Sequence, residues 1–153
     1  MQRIAAGLFV LCLTLWAGAL WTVGFMVAPT LFATLSDRTL AGELAGRLFA
    51  LTGWTGLWCG AYLLIYLLMR DGWRAWRSAP LWLVLGMLAC TLASQFGIQP
   101  LLASLKAQAW PREVMQSVVR DRFATWHGIS SIVYVIQSIA AVALVLLARP
   151  ASR

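Results

Sequence analysis

An all-α polytopic membrane protein, a four-transmembrane-helix bundle with up-down-up-down topology, is the fold class that the sequence predicts. Hydrophobic residues make up 61% of the 153 residues, well above the near half that is usual in soluble domains. Charged residues make up only 11%, and they leave four long uncharged runs. Each run exceeds the roughly 20 residues that a helix needs to cross about 30 Å of hydrocarbon. Lipid offers no partner to backbone amides, so each crossing is expected to be helical.

The uncharged runs predict one transmembrane domain, residues 1–153, with four spans at residues 4–31, 48–69, 81–105 and 123–148. Pro29 and Pro100 lie near the ends of the first and third spans. Each removes a helix hydrogen bond, which predicts a kink or a helix end. Pro80 suits the first turn of the third span, and Pro111 can begin a helix in the connection that follows.

The segment AGELAGRLF, residues 41–49, is predicted to be helical and to lead straight into the second span. Its Glu43 and Arg47 are four residues apart, a spacing at which they can form an ion pair. The first apolar run is more than twice as long as the core of a secretory signal peptide, so it is interpreted as a retained span.

The net charge of +7 raises nucleic acid as a partner, but the charge pattern argues against it. The basic residues lie in the short segments between apolar runs, which is typical of helix ends at lipid headgroups. Tryptophans prefer the same level, and six of the nine lie near predicted span ends: Trp54, Trp73, Trp76, Trp82, Trp110 and Trp126. The predicted partner is the lipid bilayer.

The orientation in the membrane is nearly undetermined by charge. Side A is the face with both termini and the loop 70–77, and side B is the opposite face. Lysine and arginine number six on each side, so the positive-inside rule favours neither orientation. Four of the five acids lie on side B, which favours side A, with both termini, in the cytoplasm.

Two glycine pairs at GxxxG spacing, Gly42/Gly46 and Gly56/Gly60, allow close helix approach. Lipid gives helices little hydrophobic drive to associate, and small residues commonly provide their contact surfaces. Packing within one bundle is the favoured interpretation, and a homo-oligomer formed through these surfaces is the alternative.

Polar residues inside a membrane are costly and therefore indicate where function could lie. One face of the fourth span carries His127, Ser130, Ser131, Tyr134 and Ser138. A second polar stripe follows the third span at Thr91, Ser94, Gln95 and Gln99. The two stripes are expected to face each other.

Several of these groups fall near side B and predict a ligand or ion site there. The candidates are His127, Ser130, Ser131, Arg122, Glu43, Arg47, Gln99 and Pro29. The structural alternative is that His127 only donates a hydrogen bond between helices, that the serines bond their own i−4 carbonyls, and that Glu43 and Arg47 form a solvated pair of little energetic weight.

Three cysteines, Cys12, Cys59 and Cys90, lie inside apolar runs at similar depth. Free cysteine usually packs as a small apolar residue. Three thiols at one level are also a candidate site for a soft ion such as Cu(I), and this remains the minor alternative to a chain without a metal site. No disulfide is expected.

Enzyme signatures are missing, because the sequence contains no HExxH, GxSxG, P-loop or CxxC pattern. The chain has one histidine, so a bis-histidine haem within one subunit is excluded, while His/Met ligation or a haem shared by a dimer is not. Three functions stay open: handling of a small solute or ion, haem or quinone redox chemistry, and assembly of a larger membrane complex. The cofactor is left unknown.

Three segments, GFMVAPTLF (24–32), AGELAGRLF (41–49) and RFATWHGISS (122–131), together resemble the transmembrane protein 205-like family, a membrane domain of unknown function found in bacteria and eukaryotes. The resemblance implies four spans and a bacterial member in the plasma (inner) membrane. It also implies that His127, Ser130, Ser131, Pro29 and Gly46 characterise the family, and it brings no reaction.

Overall fold

The computed structural model describes residues 2–108 and 116–148, and describes their side chains except at 106–108 and 116–120. It contains four helical spans that are long and apolar enough to cross a membrane: Gln2–Thr34, Arg38–Arg77, Ala79–Leu105 and Asp121–Leu147. The predicted fold class, a transmembrane four-helix bundle, is confirmed. The predicted helix start at Pro111 lies outside the described residues.

The first and third spans are each interrupted by a π-helix, in which the backbone hydrogen bonds span five residues instead of four. The first span consists of α1 (Gln2–Trp21), the first π segment (Thr22–Val27) and α2 (Ala28–Thr34). The third consists of α4 (Ala79–Leu92), the second π segment (Ala93–Ile98) and α5 (Gln99–Gln108). The second and fourth spans are built on α3 (Arg38–Asp71) and α6 (Gln116–Leu147).

The start of α3 is set by Asp37, whose carboxylate accepts hydrogen bonds from the amides of Thr39 at 2.8 Å and Leu40 at 3.2 Å. This cap satisfies two amides that have no partner within the helix. Residues 41–49 therefore continue into the second span as one helix, as predicted. At 34 residues and 1.5 Å per residue, α3 is about 51 Å long, longer than the hydrocarbon is thick.

The loop predicted at residues 70–79 is ordered as a short 3-10 helix, Gly72–Arg77. Gly72 ends α3 with a positive φ of 55°, a conformation that glycine adopts without steric cost. Pro80 lies in the first turn of α4, as predicted, because proline needs no amide partner there.

The helices form a closed ring in which each span packs on the next and the first packs on the fourth. The apolar core fills the side A half of this ring. Its members come from all four spans: Phe9, Leu13, Trp16, Leu20, Cys59, Leu63, Leu67, Leu81, Val84, Met87, Ala141 and Leu144. Many apolar side chains of the outer face are exposed, as lipid contact requires; Trp58, for example, is 76% exposed.

The close contact of the first and second spans depends on Trp16, whose side chain is fully buried against Gly56 and Gly60. A methyl group at Gly60 would lie 2.8 Å from the Trp16 ring and 2.6 Å from Leu88, and one at Gly56 would collide with the indole nitrogen. The GxxxG pair of the second span is therefore used inside the bundle, and this face is not free for a second copy.

Replacing Gly56 with alanine is expected to destabilise the bundle by about 1–3 kcal/mol, because the added methyl group overpacks a site that Trp16 already fills. The matched control is Gly18→Ala, since nothing lies within 4 Å of a methyl group at Gly18. Thermal unfolding in detergent checks this expectation. Equal melting temperatures for the two variants would contradict it.

Candidate functional site

Each pair of neighbouring spans is joined by at least one side-chain hydrogen bond. Tyr62 donates to the Ala5 carbonyl at 3.0 Å, Gln95 to the Ala50 carbonyl at 3.5 Å, and Gln137 to the Thr91 hydroxyl at 2.7 Å. The fourth span is tied to the first by two bonds, from Trp21 to the Ser138 carbonyl at 3.3 Å and from Tyr134 to the Leu20 carbonyl at 2.6 Å. Polar side chains of this kind hold helices together where lipid cannot.

Neither span ends at its proline, so the helix end considered for Pro29 and Pro100 is not formed. Instead, the helix shifts to π geometry just ahead of each proline. The amide of Ala28 bonds to the Val23 carbonyl, and the amide of Gln99 bonds to the Ser94 carbonyl. In this wider register the helix continues past the proline, which has no amide hydrogen to donate, and α-helix resumes.

Tyr134 of α6 lies against the first π segment. Its hydroxyl donates to the Leu20 carbonyl and is within hydrogen-bonding reach of the Gly24 backbone. In an uninterrupted α-helix the Gly24 amide and the Leu20 carbonyl pair with each other, so Tyr134 contacts the chain where the α-helix changes to the π segment. The absence of a side chain at Gly24 makes room for the Tyr134 ring, because a methyl group there would lie 2.9 Å from Tyr134 Cζ.

A corresponding contact joins the second π segment to α3. The Gln95 carboxamide packs on Gly53, where a methyl group would lie 3.1 Å from Gln95 Cδ. Phe49, one residue before Ala50, contacts Tyr134 edge-to-face with 5.1 Å between ring centroids. We call the four residues Gly24, Phe49, Gln95 and Tyr134 the Tyr134 layer, because they connect all four spans at one level.

Beyond the Tyr134 layer, towards side B, packing is mainly within helix pairs. There α2 packs on α3 and α5 packs on α6, whereas α2 makes at most marginal contact with α5 or α6 in the part of the chain that the structure describes. The residues buried in this half are Ala28, Ala41, Ala45, Ile98, Leu102 and Leu105. Within residues 2–108 and 116–148 the bundle is therefore closely packed at side A and loosely packed at side B.

Along one face of α6 the side chains change from buried to exposed towards side B. Ser138 is buried and Tyr134 half-buried, whereas His127 and Ser131, which share their face at helical spacing, are exposed. Because the face is the same, the exposure means that none of the helices, as far as the structure describes them, covers it at side B. We call the part of this face formed by His127 and Ser131 the uncovered face.

The eight predicted site residues all lie towards side B, but the structure does not gather them into an enclosed site. Gln99 and Ser130 are half-buried, and the other six are exposed: Pro29, Glu43, Arg47, Arg122, His127 and Ser131. The expected Glu43–Arg47 ion pair is not formed. Among the described residues, the ion pair is between Arg70 and Asp71 on side A, at 2.7 Å.

His127 stacks on Phe123, with 5.9 Å between ring centroids and 7° between planes. No described residue hydrogen-bonds to its ring nitrogens. Ser131 donates to the His127 carbonyl at 2.9 Å. This is the bond to an i−4 carbonyl of its own helix that was considered as the alternative to a ligand-binding role. The neighbouring concave surface, lined by Ser131, Ile132, Val135 and Ile136, is a shallow groove on α6.

Two of the three cysteines approach each other, since the thiol of Cys59 faces that of Cys12 within the core. Cys90, on α4, is half-buried and contributes no third ligand. Within residues 2–108 and 116–148 no three histidine, cysteine, aspartate or glutamate side chains gather as a metal site would require. The three-thiol arrangement considered for a soft ion is therefore not formed.

The polar stripes meet only in part. Thr91 faces the fourth span, but its partner is Gln137, a residue outside the predicted stripe, and Gln95 faces α3 instead of α6. The sequence signal for Gln137 was its position inside an uncharged run. The orientation of Gln95 is signalled by Gly53, the small residue that makes room for it.

The comparison with known families bears on the first three spans. A family model described as Domain of unknown function (DUF4149) matches residues 11–111, about two thirds of the chain. The chain belongs to the DUF4149 family. No curated protein and no solved structure matches the chain.

The match to the DUF4149 family includes Pro29, Glu43, Arg47 and Gln99, together with both π segments. His127, Ser130, Ser131 and Arg122 lie beyond the matched residues. The membership agrees with an integral membrane protein and adds no reaction to it, because the function of the domain is unknown.

The hydrogen bond between Gln137 and Thr91 can be measured with a double-mutant cycle of Gln137→Leu and Thr91→Val. We expect a coupling of about 0.6 kcal/mol, and no more than about 1.7, the range found for such bonds in membrane helices. The measurement is the free energy of unfolding in bicelles for the four proteins of the cycle. Strictly additive effects would show that the bond does not stabilise the bundle.

Proposed function

We propose that the protein binds a small polar solute or ion at the side B end of the bundle, with His127 as its main contact. The observation that carries the proposal is the uncovered face. A helix surface that faces its neighbours at Tyr134 and Ser138 carries, towards side B, an exposed imidazole whose ring nitrogens bond to no described residue. Ionisable groups placed within membrane spans most often serve function.

The site proposed is open to side B and closed towards side A. The apolar core around Trp16 and Leu63, both fully buried, fills the side A half. A solute would therefore reach the uncovered face from side B and stop at the Tyr134 layer. This supports binding from one face as the basic activity, with transport requiring a rearrangement of the bundle.

The charges around the uncovered face set the chemistry of a solute. Arg122 precedes His127 on α6, and Arg47 and Glu43 are exposed on the first turns of α3. Exposed groups of both signs at the same end of the bundle as His127 favour a polar solute with an anionic group, since an arginine can bind that group and an imidazole can donate or accept a hydrogen bond.

We also propose that the chain is a bacterial member of the transmembrane protein 205-like family in the inner membrane, with both termini in the cytoplasm. The segments 24–32 and 41–49 support the relationship, and both lie within the matched residues of the DUF4149 family. The excess of acids on side B supports the orientation. In that orientation the proposed site opens away from the cytoplasm.

Cysteine labelling tests whether water reaches the uncovered face. In a chain whose native cysteines are replaced by alanine, His127→Cys is expected to react at least several-fold faster with a membrane-impermeant maleimide than Ile129→Cys. The two positions differ by about 3 Å in depth but lie on opposite faces of α6, and both side chains are exposed. Equal rates would mean that the face is no wetter than the lipid-facing side.

The functional role of His127 is tested in a deletion strain screened for altered sensitivity to ions and small solutes. His127→Ala should fail to restore the wild-type phenotype although it reaches the membrane at normal levels, because it removes the unpaired imidazole and leaves helix packing intact. Ile129→Ala, on the opposite face, should restore it. Full complementation by His127→Ala would refute the proposed role.

A further inference from the structure

The two π segments occupy equivalent positions in the first and third spans. Thr22–Val27 and Ala93–Ile98 have the same length and are separated by a constant 71 residues. At this separation Phe25 corresponds to Phe96, and Pro29 corresponds to Pro100. The interruption is therefore a repeated feature of the chain.

Buried positions on the side A part of the two spans follow the same separation. Leu13 and Val84, Trp16 and Met87, and Leu20 and Thr91 form three such pairs, and all six side chains are buried. Antiparallel neighbours close the ring, so the first and third spans run parallel at opposite corners. Parallel repeats of this kind are related by an axis along the membrane normal.

We propose that the paired π segments are hinges about which the side B halves of the two helix hairpins move against the packed side A core, with Tyr134 holding the first hinge in its present state. The first hairpin is formed by spans one and two, and the second by spans three and four. The proposal concerns the helices themselves and does not depend on solute binding.

The placement of the π segments supports hinge motion. Each lies where the packed core ends, and each is followed by a helix, α2 or α5, that packs mainly on its own hairpin partner. Motion of one hairpin end past the other would break few contacts there. The side A half contains the fully buried Trp16, Leu63, Leu81 and Leu144 and would stay fixed.

The contact of Tyr134 gives the first hinge two states. In the present state its hydroxyl bonds to the Leu20 carbonyl at 2.6 Å and lies beside the Gly24 backbone. When the hydroxyl withdraws, the Leu20 carbonyl and the Gly24 amide can pair with each other as in an ordinary α-helix. The Leu20 carbonyl thus has a partner in both states, and the register of α2 differs between them.

The same residue links the two hinges. The Tyr134 ring contacts Phe49 edge-to-face, and the carbonyl of the next residue, Ala50, accepts the bond from Gln95 of the second π segment. Displacement of Tyr134 therefore removes a support of Phe49 and, through α3, of the Gln95 contact. Movement at the first hinge is thereby coupled to the second.

The test is the distance between the side B ends of the two hairpins. Spin labels at Thr34→Cys on α2 and Thr125→Cys on α6, both exposed positions, are introduced with the native cysteines replaced by alanine. Pulsed electron paramagnetic resonance in lipid nanodiscs then gives the distance distribution. Tyr134→Phe should broaden it or shift its mean by about 2–5 Å, the scale of helix displacements in switching proteins.

The matched control is Tyr62→Phe, which removes another inter-helix hydroxyl bond, to the Ala5 carbonyl on side A, and should leave the distribution as in the parent. Gly24→Ala is a second route to the same change, because its methyl group expels the Tyr134 ring. An unchanged distribution in both Tyr134→Phe and Gly24→Ala would overturn the hinge, as would an equal change in Tyr62→Phe. Maleimide labelling of His127→Cys is a separate measurement, so it tests the proposed solute site independently of the hinge.

Discussion

Lipid offers no hydrogen bond to the chain, and most of this structure follows from that constraint. A backbone amide or carbonyl left alone in hydrocarbon costs several kcal/mol, so the chain crosses as helices and caps its exposed starts, as Asp37 does. At Pro29 and Pro100 the helix cannot keep its normal ladder, and it changes to π geometry instead of breaking. The hydroxyl of Tyr134 donates a hydrogen bond to the Leu20 carbonyl, just ahead of the first π segment.

The same constraint explains why the bundle is uneven. The side A half is held together by close side-chain packing, in which Trp16 lies against two glycines. The buried indole nitrogen of Trp16 makes no hydrogen bond with the described residues. Hydrogen bonds close the middle, where hydroxyl and carboxamide groups join neighbouring spans. Neither kind of contact continues into the part of side B that the structure describes, where His127 is exposed.

The spans and their topology were predictable because hydropathy and length decide them. The start of the third span at Pro80 and the inward use of Gly56 and Gly60 followed from local rules that hold in any helix. The π segments were not predictable, because a proline near a helix end fits a kink, a break or a register shift equally well. The sequence pointed to both positions without distinguishing these outcomes.

The candidate site was predicted less well, because its assembly depends on how each helix is rotated. The residues near side B were identified by depth alone, and depth does not say which side chains meet. Glu43 and Arg47 have the spacing of a pair but extend separately, and Gln95 contacts α3 where α6 had been expected. His127 was singled out as a histidine within a span, but its exposure depends on where the two hairpins separate.

The restriction of the apolar core to the side A half has an electrical consequence. A transmembrane voltage falls mainly across material of low polarisability, and water in the proposed site would make that material thinner through this bundle than in the surrounding bilayer. The field within the side A half would then be correspondingly steeper. A charge carried from the uncovered face past the Tyr134 layer would cross most of the voltage in that short distance, at about 2.3 kcal/mol per 100 mV.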